Sequence, residues 1–168
     1  AWNEASVGGG VFTSGKFSGL NTTLQGNFAG VNGGGLLNTG TGVVNLASVT
    51  VFENQTDGYG AGLVNELGTM SLVNVSVSGN TAPNYVGIAN VNDGAQLTIT
   101  NSTIAENILS AAGTRYGGVV NLYGTASLLN TIVANSSPGS AAFGAAEEAN
   151  LALISRTKLA KPPVCDII

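Results

Sequence analysis

The chain contains no histidine. That absence removes the usual proton shuttle at neutral pH, the Ser-His and Cys-His nucleophile pairs, and most zinc sites. A single cysteine, Cys165, excludes an intrachain disulfide and leaves only a bridge between chains. Charge is scarce: 5 basic and 9 acidic side chains make up 8% of the 168 residues, for a net charge of −4. With no basic stripe to neutralise phosphates, nucleic acid is not an expected partner. Aromatics, at 6%, are too few for a core built around large rings. No uninterrupted apolar stretch is long enough to cross a bilayer, and no signal peptide is present, although a secreted mature chain would have lost one. What remains is 43% hydrophobic and holds 25 glycines, which is too apolar for a disordered chain and long enough for one domain with a real core. Low charge, abundant Asn, Thr, Ser and Gly, and little lysine fit a secreted or cell-surface protein.

What is present repeats. "NTTLQGN" (Asn21 to Asn27), "SVTVFEN" (Ser48 to Asn54), "NVSVSGN" (Asn74 to Asn80) and "NSTIAEN" (Asn101 to Asn107) share one outline, and "NTIVAN" (Asn130 to Asn135) reads as a copy one residue shorter. Their closing asparagines, Asn27, Asn54, Asn80, Asn107 and Asn135, stand 27, 26, 27 and 28 residues apart. A second landmark precedes each: "GGGVFT", "GGGLLN", "GAGLVN", "YVGIAN" and "YGGVVN", with its glycine at Gly10, Gly35, Gly62, Gly87 and Gly118. Two landmarks in the same order five times over mark a repeat architecture.

The columns carry the physics. Three places before each closing asparagine stand Leu24, Val51, Val77, Ile104 and Ile132; one place earlier stand Thr23, Thr50, Ser76, Thr103 and Thr131. Successive strand residues face opposite ways, so the aliphatic column is expected to point inward and the hydroxyl column outward. After the recurring glycine comes a second aliphatic column, Val11, Leu36, Leu63, Ile88 and Val119. A hairpin sandwich rarely keeps a fixed period, and "GGGLLNTGTGVVN" cannot supply the helix that leucine-rich or ankyrin units need. Three short strand-like pieces per ~27 residues suit one coil of a parallel β-helix, its coils stacked at about 4.8 Å. The expected fold is therefore all-β: a single parallel β-helix of about five coils over residues 1–139. In it the five asparagines form a structural ladder at the bends, where a short amide tolerates left-handed backbone.

The runs "GGGLLN", "LTITNSTIAEN" and "GGVVNLYGTASLLNTIVANSS" resemble the Gly-Gly-Gly-Ile-x-Asn and Leu-Thr-x-Thr-Asn-Ser-Thr-Ile-x-x-Asn repeats of right-handed parallel β-helix proteins on bacterial surfaces, including adhesin-like and polymorphic-outer-membrane-protein-like passenger regions. The resemblance covers Gly8 to about Gly139. It implies the fold and a secreted or surface-displayed setting; function follows less directly, since such repeats also occur in polymer-forming proteins and polysaccharide lyases.

The remaining 140–168 departs from the repeat and reads as a short cap helix or extended arm. Glu147 and Glu148 precede Arg156 and Lys158, the charge order a helix dipole favours, and Pro162-Pro163 would end it. Trp2 at one end, and Val164, Cys165, Ile167 and Ile168 at the other, are candidate assembly residues for head-to-tail self-association into filaments. Other cell-surface components and glycans are the remaining expected partners. The hydroxyl column Thr23, Thr50, Ser76, Thr103 and Thr131 is the candidate ligand face, for carbohydrate or ordered water. Gln25, Phe52, Ser78, Ala105 and Val133 alongside make it irregular.

Glu53 and Glu106 share one column two coils apart, a separation of about 10 Å at the upper edge of an inverting glycosidase pair. Two solvated turn carboxylates explain them more simply. Asp57, Glu66 and Asp93 sit at different repeat offsets, so no carboxylate cluster, catalytic residue, metal or cofactor is expected. Asn21, Asn54, Asn74, Asn101 and Asn135 each open an Asn-x-Ser/Thr sequon that follows from the repeat. The expected role is structural or adhesive rather than enzymatic, with a carbohydrate-binding or carbohydrate-cleaving β-helix as the alternative and ice binding behind it.

Overall fold

The repeat folds as it reads: short alternating segments of β-branched and small residues, punctuated by Gly and Asn, become strands joined by sharp corners. The computed structural model describes residues 2–110 and 116–136, together with the strand Ala141–Phe143. These residues form a parallel β-solenoid of about five turns with four sheets. Each turn of the chain visits the sheets in the same order. Sheet A holds the two-residue strands Glu4–Ala5, Phe28–Ala29, Gln55–Thr56, Thr81–Ala82 and Ile108–Leu109. Sheet B holds Val11–Thr13, Leu36–Asn38, Leu63–Asn65, Ile88–Val91, Val119–Leu122 and Ala141–Phe143. Sheet C holds Lys16–Leu20, Val43–Ala47, Thr69–Val73, Gln96–Thr100 and Thr125–Leu129. Sheet D holds Thr23–Gln25, Thr50–Phe52, Ser76–Ser78, Thr103–Ala105 and Ile132–Ala134. Ala141–Phe143 pairs with Val119, Val120 and Asn121, so sheet B continues past the boundary expected at 139. The cap helix or arm expected over the rest of 140–168 lies outside the described residues.

Register is one residue to one residue at every level, for example Leu36, Leu63 and Ile88 in sheet B and Val51, Val77 and Ile104 in sheet D. Identical positions therefore stack. Sheets B, C and D turn their aliphatic columns into one continuous core that includes Leu63, Met70, Leu72, Val77, Ile99 and Ile104. Each such side chain, fully withdrawn from water, contributes about 1.5–3 kcal/mol. A smaller cluster covers the outer side of sheet B, where Leu37, Val64 and Ala89 pack beneath Tyr59 and Tyr85.

The recurring glycine is required by the stacking itself. A Cβ built on Gly10 or Gly35 would lie 2.5 Å from the carbonyl oxygen of the glycine in the next coil. Any side chain there would pry the coils apart, which is why the column stays glycine while its neighbours vary.

The fifth coil corrects the sequence reading by one residue. Its block is not shortened: Thr103, Ile104 and Ala105 pair with Ile132, Val133 and Ala134. The seven-residue unit is "NTIVANS", with Ser136 in the place of the closing asparagine. Because strand side chains alternate, a one-residue slip exchanges the inner and outer faces. Val133 is the core residue at 5% exposure, whereas Ile132 is 51% exposed. Thr131 leaves the outer column altogether. It is buried in the position of Ser102, and its hydroxyl donates to the Leu129 carbonyl at 3.0 Å, as Ser102 does to Thr100 at 2.8 Å.

Candidate functional site

The asparagines are buried inside the D-to-A corner rather than displayed on it. Each of these corners turns at the preceding residue, where φ is positive: Gly26 at 62°, Glu53 at 54°, Gly79 at 62°, Glu106 at 57° and Asn135 at 51°. Asn135 is thus a bend residue, not a ladder residue. The ladder proper starts one coil earlier than expected, with Asn3 donating to Asn27 Oδ1 at 2.9 Å. It continues as Asn27 to Asn54 at 2.8 Å, Asn54 to Asn80 at 3.0 Å and Asn80 to Asn107 at 2.8 Å, each Nδ2 donating to the next Oδ1. The main-chain N–H groups of Asn27, Asn54 and Asn80 donate to those same oxygens, at 3.0, 3.0 and 3.3 Å. The second amide proton goes back to a sheet D carbonyl: Asn54 to Leu24, Asn80 to Val51, Asn107 to Val77, at 3.0, 3.2 and 3.1 Å. Both protons and both lone pairs of the amide are thereby used, which is what allows so polar a side chain to be buried. Asn107 closes the run, its main-chain N–H donating to Ser136 Oγ at 3.3 Å.

A second ladder occupies the B-to-C corner. Asn38 donates to Asn65 Oδ1 at 2.8 Å, Asn65 to Asn90 at 2.7 Å and Asn90 to Asn121 at 2.6 Å. All four are buried. Each ends one of the blocks "GGGLLN", "GAGLVN", "YVGIAN" and "YGGVVN", three residues after the recurring glycine, a column that the glycine alone does not single out. In the first coil that position is Thr13, whose hydroxyl accepts from the Gly15 N–H at 3.2 Å. Asn38 Oδ1 is accordingly buried with no hydrogen-bond partner.

The outer surface carries the candidate ligand face. Thr23, Thr50, Ser76 and Thr103 stand in one column of sheet D, followed by Ile132 and not Thr131. Gln25, Phe52, Ser78, Ala105 and Ala134 form the column beside it. Asn21, Ser48, Asn74, Asn101 and Asn130 turn the C-to-D corner in the left-handed region, and Asn130 Nδ2 donates to Asn101 Oδ1 at 2.7 Å. Of the sequon asparagines, Asn21, Asn74, Asn101 and Asn135 are exposed while Asn54 is locked in the ladder. Glu53 and Glu106 are left-handed turn residues with Gly79 between them in the column.

The longest face lies outside the recurring blocks of the sequence. Sheet C presents Ser18, Asn45, Ser71, Thr98 and Ser127 in a central outward column, flanked by Leu20, Ala47, Val73, Thr100 and Leu129. Leu20, Val73 and Leu129 are exposed. The alternation in "VVNLA", "TMSLV", "QLTIT" and "TASLL" was the available signal.

Trp2 is 83% exposed and lines a shallow cleft of about 190 Å³ with Gln25, Gly26 and Glu53. Gln25 Nε2 donates to Glu53 Oε2 at 3.0 Å. Val164, Cys165, Ile167 and Ile168 lie outside the described residues. A second polar cluster centres on Glu66, whose carboxylate accepts from Tyr59 Oη at 2.8 Å and from Thr39 Oγ1 at 3.0 Å. Burial first, then the hydrogen bond to Glu66 and its charge, hold the Tyr59 phenol well above its ordinary pKa, so it remains a neutral donor. Among the described residues no group of three or more Cys, Asp or Glu side chains could hold a metal ion, and no helix is long and apolar enough to cross a membrane. No protein-family profile matches the chain, and no curated protein or solved structure matches it significantly.

Proposed function

We propose that the chain is a structural or adhesive β-solenoid displayed outside the cell, working without catalysis through its side faces. The observation that supports this best is sheet C: five strands in strict register, with hydroxyl and amide side chains beside a column in which Leu20, Val73 and Leu129 are exposed. A flat, regular surface that mixes aliphatic and hydroxyl groups suits broad, weak contact with another surface, because many small contacts in register add up. The amide ladders suit the same role, since they hold the face rigid with few charges. The likeness of "LTITNSTIAEN" to surface-passenger repeats agrees with placement outside the cell.

The test is adhesion by the purified chain coated on beads, compared with a Val73→Glu, Leu129→Glu double variant. Loss of bead attachment to cell surfaces in the variant, with an unchanged circular dichroism spectrum, is the expected outcome. Equal attachment by both would overturn the assignment to sheet C. Stacking of coils end to end on further copies is a second arm of the proposal, read by electron microscopy. Filaments are expected, and dispersed short rods at high protein concentration count against it.

A further inference from the structure

We infer that Trp2, Gln25, Gly26 and Glu53 form a binding subsite for a neutral pyranose sugar. The cleft they line, at about 190 Å³, is smaller than the ~300–1,000 Å³ of sites for drug-sized molecules and suits a single ring. Its chemistry is that of a sugar. One face of a pyranose is a plate of C–H groups, and its rim is a ring of hydroxyls that both donate and accept.

Trp2 supplies the matching plate. Its indole is the largest aromatic surface in the chain, yet at 83% exposure it takes no share in the core. Gly26 keeps the way to that plate open: a Cβ at this position would lie 4.0 Å from indole Cδ2, so any longer side chain would reach the ring. The left-handed backbone at Gly26, φ 62°, favours glycine independently.

Gln25 and Glu53 supply the matching rim. The Gln25 amide donates to Glu53 Oε2 at 3.0 Å, a bond between neighbouring coils that fixes both side chains beside the indole. A carboxylate accepts from up to about four donors, and the amide oxygen from two, so the pair has capacity for adjacent sugar hydroxyls beyond the bond it already makes. Among the described residues no basic side chain lines the cleft, and Glu53 repels an anion there. Uronates and sulfated sugars are therefore selected against, and a neutral hexose is favoured.

This subsite is separate from the sheet C face and stands whether or not that face adheres. Trp2 is the only tryptophan, so its emission reports on the cleft without a label. The probes are maltotriose, cellotriose and chitotriose as neutral saccharides and trigalacturonate as the anionic one. A saturable emission change with at least one neutral probe is expected in the millimolar range. By calorimetry, Trp2→Ala and Glu53→Asn should each weaken that binding by about tenfold or more, as loss of a central anchor does. Asparagine is chosen at position 53 because it tolerates left-handed backbone. Trp2→Phe should retain part of the affinity and guards against a folding defect in the alanine variant. Absence of saturation with all neutral probes, equal binding by Trp2→Ala, or a preference for trigalacturonate overturns the inference. None of these results bears on the sheet C adhesion variant.

Discussion

Replacing Asn80 with alanine tests the amide ladder at its centre. The side chain donates to Asn107 Oδ1, Val51 O and Ser78 O at 2.8, 3.2 and 3.1 Å, and its oxygen accepts from Asn54 Nδ2 and the Asn54 main-chain N–H, both at 3.0 Å. Alanine removes all of these and leaves the Asn54 N–H buried opposite a void. One orphaned buried donor costs about 1–3 kcal/mol and each lost bond a further ~1 kcal/mol or less after partial relaxation, so a total of about 3–5 kcal/mol is expected. For a domain of this size that corresponds to a fall in melting temperature of about 10 °C. Thr50→Ala, which removes a hydroxyl from the outer column of sheet D, is the control and should cost well under ~1 kcal/mol. Urea and thermal unfolding followed by circular dichroism measure both. If Asn80→Ala unfolds within error of the control, the ladder does not stabilise the solenoid and the account of the buried corner is wrong.

Thr13→Asn should do the reverse. It places an amide donor against the unpartnered Asn38 Oδ1, extends the second ladder by one coil and stabilises by about 1–2 kcal/mol, read as a higher urea midpoint. The corrected register of the fifth coil predicts that Val133→Asp abolishes cooperative unfolding of that end whereas Ile132→Asp is tolerated; the opposite pattern would restore the shortened block. Tyr59 gives a pH dependence. Its folded pKa lies above the ordinary value near 10, so the folded state keeps a proton that the unfolded state releases, and stability falls as pH rises beyond about 10. Tyr59→Phe should flatten that alkaline loss in a series of melts, while an unchanged slope would remove the phenol from the explanation.

The coil count, the parallel direction and the inner aliphatic columns of sheets B and D, Ile132 excepted, could be read from the sequence, because period and alternation are direct projections of strand geometry. Leu63 and Ile88 stack where their spacing says they should. In the fifth block the asparagine that ends "NTIVAN" hides Ser136, which takes the ladder asparagine's place. Only the inside-outside alternation of Ile132 and Val133 distinguishes the two alignments. The role of the closing asparagines was also displaced by one residue. Asparagine is at home both at a left-handed bend and in a buried amide stack, so residue type alone does not separate Asn135 from Asn107. The second ladder was legible in the asparagine three residues after each recurring glycine from Gly35 to Gly118, whereas the cleft brings Trp2 against Gln25 and Glu53 of later coils, a meeting that no local pattern announces.

Every amide in the two ladders donates in the same direction along the stack. Each coil therefore offers its successor the surface that its predecessor offered it, and the interface is the same at every storey. Duplicating a stretch the length of one repeat inserts a storey without inventing a new contact, whereas removing a residue from within a strand turns its remaining side chains to the opposite face. Evolution of such a molecule is free to change its height in whole steps and to redraw its outer faces, while the inner columns stay fixed.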